Sequence, residues 1–402
     1  MKQPAAAAIA RQTWHCGPCS WIVQVNHDRK SFMKALAVFP QSREIRIISV
    51  PEPRLDSPAQ LLIHPLEVGI CGTDRDIARF EIGTSPPGSD HLVIGHETIG
   101  EVVEVGKDVT GFRKGDLVVP TVRRPCADPS CMPCRTEQSD MCLTGRFTER
   151  GIWSASGYMT ELIVESPLFL TRIPAHLREV GVLLEPLSII EKSLKTMEQI
   201  QSRISREPLA GAPSGRPRAG TALVLGAGPI GFLGALSLHS MGFRTHVASR
   251  NEPEDPKVRV LEQAGIGYFC SRRQSPQEIA AETGNLDLIL EAAGSSDLCF
   301  EYVPVLGTNG LYIMTGTPGP GNPLTLDADE FMRQIIYKNQ VILGVVNANV
   351  GAFRNGVQRL AHLCDNYPDV MQSLITSRTP MEDFSRHLAQ KLRGEIKVTL
   401  TL

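Results

Sequence analysis

The segment "RRPCADPSCMPCRTEQSDMC" places Cys126, Cys131, Cys134 and Cys142 within seventeen residues. Thiols this close either hold a soft metal or pair as disulfides, and "CMPC" supplies the core of a chelate. Ten cysteines in 402 residues, unevenly placed, are too few for a secreted disulfide scaffold, so the cluster is read as a metal site in a reducing cytoplasm. The remaining candidates, Cys270, Cys299 and Cys364, are read as small buried side chains.

A second set of metal-type residues is dispersed. "VGICGTD" and "VIGHETIGEVVEVG" carry Cys71, Thr73, Asp74, His96 and Glu97 beside glycines at the ends of apolar segments, where turns hold ligands. Thiolate and imidazole suit zinc, and a third, oxygen ligand leaves the fourth position to water or substrate. The oxygen candidate is Glu185 in "VLLEPLSIIEK", a carboxylate in an apolar run where burial without a partner is costly.

A third pattern concerns phosphate. "GAGPIG" sets Gly226, Gly228 and Gly231, with Pro229 and Ile230 between the last two, after the strand-like "TALVL" and before an apolar helical stretch. The glycines allow a tight turn and close backbone approach to a pyrophosphate, and the helix start offers free N–H groups to the anion. Dinucleotide binding is expected there. The next strand ends in Ser249, Arg250 and Asn251 where an NAD-selective site places an acid, so NADP use is expected; Glu252 and Glu254 nearby leave room for NAD.

These residues need two kinds of scaffold. From Met33 to about Arg124, short β-prone segments alternate with Gly and Pro, which predicts antiparallel sheet. Residues 186–200 have helical spacing, and a Pro/Gly/Arg-rich connection comes next. "TALVLGAG", "RTHVAS", "LDLILEAAG" and "GLYIMTG" then read as buried parallel strands, with "EAAGSS" and "IMTGTPG" at strand ends beside a cofactor cleft. The tail from about Gly344 returns to helix and ends in the strand-like "EIKVTLTL". A net charge of −2 and 21% charged residues give no polyanion-binding signature, so no nucleic acid partner is expected. Glycines break the longest apolar runs, so no membrane span is expected either.

Residues 1–32 differ from the rest of the chain and are read as a flexible or mis-assigned start before the fold. "WHCGPC" is similar to a thioredoxin active site, except that His15 separates Trp14 from Cys16 and no βαβ pattern surrounds it. A targeting prefix is the third option, since no acid precedes Asp28.

Taken together, "GICGTD", "GHE", the cysteine lobe, "GAGPIG" and their order resemble the zinc-dependent medium-chain dehydrogenase/reductase family over residues 33–402. "VRRP", "TERGI", "GYM", "LLEPLSIIEKSL", "SRNEP", "GVVN" and "GEIKV" are similar to its glucose 1-dehydrogenase subgroup of archaeal type. The resemblance implies an α/β chain made of a GroES-like β-rich catalytic domain and a Rossmann domain with a doubly wound parallel sheet. The expected divisions are 33–189, catalytic with the zinc lobe; 190–344, dinucleotide-binding; and 345–402, returning to the catalytic domain.

By resemblance, Cys71 and His96 ligate the catalytic zinc, and Glu97 and Glu185 either ligate it or stand beside it. Thr73 relays the substrate proton; Glu149, Asn347 and also Glu185 hold the sugar. The four-cysteine lobe holds a structural zinc, with "ADPS" bulging outward where the usual spacing is two residues. Val122 replaces an asparagine, and Tyr337 a sugar-contacting histidine, so the preferred sugar is left open. The implied reaction is oxidation of an aldose, D-glucose at C1, to the lactone with NADP or NAD, by a cytoplasmic homo-oligomer, dimer or tetramer. The alternatives are a polyol or amino-alcohol dehydrogenase and a catalytically silent nucleotide sensor; loss of Cys71 or His96 would mark the sensor, and both are present.

Overall fold

The computed structural model describes residues 31–204, 220–319, 321 and 323–402. The "WHCGPC" stretch, nearly all of the prefix, and most of the connection after residue 201 lie outside the described residues. Phe32 opens the first strand, one residue before Met33.

The early β-prone segments pair antiparallel, as their Gly and Pro punctuation predicts. Phe32–Phe39 forms a hairpin with Glu44–Pro51. Strand Leu61–Gly69 lies antiparallel to Glu97–Val105, with a register shift at Pro65, which has no N–H to give the ladder. On its other side runs Lys397–Thr401, the tail strand, flanked in turn by Ile375–Pro380. The tail therefore completes the sheet that the first hundred residues begin.

The apolar strands of the middle region form a six-stranded sheet whose neighbouring strands are all parallel. Its spatial order is Gly267–Cys270, Arg244–Ser249, Thr221–Leu225, Leu286–Glu291, Leu311–Met314 and Val341–Gly344. That order reverses beside Thr221–Leu225, so a crevice opens at the carboxyl ends of that strand and Leu286–Glu291. Both faces are buried. Ala222 and Val224 enter one core, with helices Leu184–Gln201 and Val350–Asn366, while Leu223 and Leu225 enter another. Double burial is why these strands are apolar at successive positions rather than alternating.

Helix Leu184–Gln201 links the two parts. Glu185 and Pro186 lie in its first turn, and its apolar face packs on the Val350–Asn366 helix. Glu191 and Arg359 join the two helices by an ion pair of 2.8 Å. No described helix is long and apolar enough to cross a membrane.

Candidate active site and metal centres

Cys71 caps the short helix Gly72–Ala78, and its backbone N–H donates to the Asp74 carboxylate at 2.8 Å. Asp74 is fully buried and faces His96, with Oδ1 3.3 Å from Nδ1. Neither atom has a hydrogen-bond partner among the described residues, so the contact is an electrostatic one, of the kind by which an acid beside the ring orients a metal-ligating histidine. Burial opposes charging of His96, but the Asp74 carboxylate outweighs it and raises the imidazole pKa well above its ordinary value.

Ligand atoms of Cys71, His96 and Glu97 all lie within 4.8 Å of one another. One sulfur, one nitrogen and one oxygen so gathered fit a zinc ion with one position left over. Thr73 is next to them, its hydroxyl 3.9 Å from the Cys71 sulfur. Glu97 also forms an ion pair with Lys397, whose ammonium donates to the Ile70 carbonyl at 3.3 Å. Gly69 makes this geometry possible, since a Cβ there would overlap the Glu97 carboxylate. Glu185 stands outside the three-ligand cluster. Burial first, and the charge of Glu97 second, push its carboxyl up to about 7.

The four thiols of the cysteine lobe also gather within 4.8 Å, and the Cys131 and Cys142 sulfurs are 3.9 Å apart. A tetrahedral site with Zn–S bonds of about 2.3 Å has an edge of about 3.8 Å, so the lobe has zinc dimensions. The thiols are unequal. Burial pushes Cys134 up to about 12, whereas hydrogen bonding with Thr144 overcomes burial and brings Cys142 down to about 6. The "ADPS" residues turn outward: Ala127, Pro129 and Ser130 are exposed, and Asp128 accepts from the Ser130 N–H at 2.8 Å. Cys270 and Cys299 are buried, but Cys364 is only half-buried, packed at the margin of the main core.

At the glycine turn Gly226 has φ +111°, and Gly231 packs so closely that a Cβ would overlap the Gly226 carbonyl. Gly228 caps helix Pro229–Ser240, and the nearest atom to a Cβ built on it is Lys391 Nζ at 3.9 Å. Open space, a helix start including Pro229 and Ile230, and a lysine opposite fit a pyrophosphate. Sequence reading did not single out Lys391. Glu291 knits the adjacent loops, accepting from Ala293 and Gly294 N–H at 2.7 Å and from Gly316 N–H at 3.2 Å.

The "SRN" trio divides. Ser249 is buried and hydrogen-bonds Asn251 and Tyr268, each at 2.9 Å, while Asn251 donates to Asp255 at 2.9 Å. Arg250 is exposed and has no ion-pair partner among the described residues. The acid that follows it, Glu252, pairs with Arg273 at 2.7 Å.

Glu149 and Asn347, 198 positions apart, share a hydrogen bond, and Arg123 fixes Glu149 Oε1 from 3.0 Å. Asn347 takes a left-handed conformation, φ +58°, which asparagine tolerates better than most residues. Val122 is buried and its carbonyl accepts from the Arg150 N–H at 3.0 Å. Tyr337 is 79% exposed at the end of helix Ala328–Tyr337 and hydrogen-bonds to none of these residues.

The family model described as "Glucose dehydrogenase C-terminus" matches residues 178–402, more than half of the chain, and that for the alcohol dehydrogenase GroES-like domain matches 57–175. The chain belongs to the glucose dehydrogenase family. Among relatives in this family, glucose 1-dehydrogenase of Methanocella arvoryzae is 39% identical over 89% of this chain and 96% of its own. That of Metallosphaera sedula is 37% identical over 92% and 98%. The Haloferax mediterranei glucose dehydrogenase, solved in complex with NADP, Zn and gluconolactone, aligns with a TM-score of 0.82 at 31% identity, covering 92% of this chain and 99% of that one. The fold is thus the GroES-like and Rossmann pairing of zinc-dependent medium-chain dehydrogenases.

Proposed function

We propose that the chain is a zinc-dependent dehydrogenase that oxidises an aldose, D-glucose at C1, to the aldonolactone with NADP as acceptor. The observation that carries this is the convergence of Cys71, His96 and Glu97 into a three-ligand set with one position over. A zinc held there would lower the pKa of a bound hydroxyl, and a dinucleotide whose pyrophosphate sits at the glycine turn would supply the hydride acceptor. The chain's own groups do the rest. Asp74 keeps His96 in its ligating orientation, and Lys397 restrains Glu97. Thr73 takes the hydroxyl proton from C1 and passes it outward. Glu149 and Asn347 hold the ring hydroxyls so that C1 faces the acceptor, and Glu185 contributes a carboxyl to the same region. Gly226, Gly228 and Gly231, with Lys391 opposite, receive the pyrophosphate.

Initial rates of NADP reduction on D-glucose, D-galactose, D-xylose, sorbitol and L-threonine test this directly. Aldose oxidation is expected to dominate; activity confined to sorbitol or threonine would replace the proposal with the polyol or amino-alcohol reading. Cofactor choice rests on Arg250, because Ser249 and Asn251 are engaged internally. Loss of a charge-assisted contact to the 2′-phosphate predicts that Arg250→Ala raises KM for NADP by roughly 10- to 100-fold. KM for NAD is expected to change little. Equal changes for both cofactors would remove Arg250 from the phosphate site.

Gathering of Cys71 and of the four lobe cysteines into zinc-type ligand sets, which need reduced thiols, supports a reducing cytoplasmic setting. The outer strand Val341–Gly344 and the exposed Met332 and Ile336 support a homo-oligomer, dimer or tetramer.

A further inference from the structure

Asp140 belongs to the cysteine lobe, two residues before Cys142, yet its side chain is 1% exposed and faces outside the lobe. Lys192 of helix Leu184–Gln201 meets Oδ2 at 2.7 Å. Asn349 donates from Nδ2 to Oδ1 at 3.2 Å, and the Asp140 carbonyl accepts from Arg123 Nη1 at 3.2 Å. Arg123 then reaches a residue assigned to the sugar, while Lys192 and Asn349 hold the segment on either side of another, Asn347. Lys192 also donates to the Val346 carbonyl at 2.9 Å, and Arg123 holds Glu149. Asn349 accepts the Ala352 N–H at 3.1 Å, so one amide caps helix Val350–Asn366 and tethers its start to the lobe. Segment Val346–Asn349 is consequently pinned at both ends to one carboxylate, with the left-handed Asn347 between the pins.

We propose that Asp140 is a positioning residue for sugar binding: through Lys192, Asn349 and Arg123 it sets Asn347 and Glu149 against the substrate, making the cysteine lobe a determinant of sugar affinity. The proposal rests on the assignment of Glu149 and Asn347 to the sugar. It differs from a plain structural ion pair in what it predicts. A structural pair lost would weaken the fold and lower the apparent kcat through a smaller active fraction, with both KM values unchanged, whereas a lost pin loosens only the sugar loop and raises the sugar KM.

The test uses Asp140→Asn, Lys192→Met and their double variant in the zinc-loaded enzyme, with Asn349→Ser as a milder cut that keeps a helix-capping hydroxyl. For each variant the expected result is a sugar KM raised roughly tenfold or more, with kcat within about twofold and KM for NADP unchanged. The double variant should be no worse than the worse single one, because the pair acts as a unit. Lys192→Arg should restore part of the affinity. Hydrogen exchange at 346–349 should rise in the variants without a matching rise in the parallel sheet. An unchanged sugar KM, a fall in kcat alone, equal rises in the sugar and NADP KM values, or additive effects would overturn the proposal. If Asp140→Asn does not fold, Asn349→Ser decides. If the parent enzyme oxidises none of the aldoses, the functional assignment fails, and the exchange measurement still judges the pin independently.

Discussion

Replacing Cys71 with alanine is expected to lower kcat/KM on aldose by on the order of a thousandfold or more. Lewis-acid stabilisation of a developing alkoxide contributes several kcal/mol, and each 1.4 kcal/mol is tenfold in rate. With the sulfur gone, His96 and Glu97 are left as a two-donor set, below the three protein ligands of a catalytic zinc site. The cysteine lobe is separate and should keep its ion, so zinc content should fall from about two per chain to about one. Metal analysis and initial rates on the same preparation check both statements. Substantial turnover by protein lacking the catalytic ion would reject the mechanism.

The second large effect concerns stability. Lys397 and Glu97 are 1% and 2% exposed, and each is the other's counter-charge. Burial opposes charging of Lys397, but the Glu97 carboxylate more than compensates and raises the ammonium pKa. Removing one member of such a pair strands the other, so Lys397→Met is expected to cost about 3–5 kcal/mol. The double variant Lys397→Met with Glu97→Gln should recover much of that loss, because a neutral pair needs no counter-charge. Urea unfolding of protein stripped of the catalytic zinc, where Glu97 has no metal ion to balance it, measures both. A single variant within about 1 kcal/mol of the parent would show that Glu97 is held by other groups.

The Lys397 pairing also shows where the sequence was readable. Cys71, His96, the four cysteines and the glycine turn announce themselves because their chemistry depends on residue type and on spacings of a few residues. The strands do so as well, since antiparallel and doubly buried parallel strands leave different hydrophobic patterns. Lys397 carried no such signal: its partner is 300 positions away, and a lysine in "GEIKV" reads locally as an ordinary strand residue. Asp140 is similar, joined to Asn349 across 209 positions. Lys391 could not be found either, because only the fold brings it opposite Gly228. Ser249 and Asn251 show a different kind of blindness in the sequence. Their position at a strand end suggests cofactor contact, but hydrogen bonding to Tyr268 and Asp255 shows what their polar atoms already serve.

The position of Lys397–Thr401 beside Leu61–Gly69 has a consequence for how the protein is made. A ribosome adding about 5–20 residues per second delivers the later strand on the order of 20 to 60 s after the earlier one. The parallel sheet, contiguous from Thr221 to Gly344, can form as it emerges. The first sheet meanwhile waits with an edge unpaired, the condition in which nascent strands find wrong neighbours. Lys397 arrives with the strand that ends this wait. Glu97 therefore gains its counter-charge in the same event that closes the sheet, and a polypeptide stalled a few residues earlier would carry a nucleotide fold but an unfinished catalytic centre.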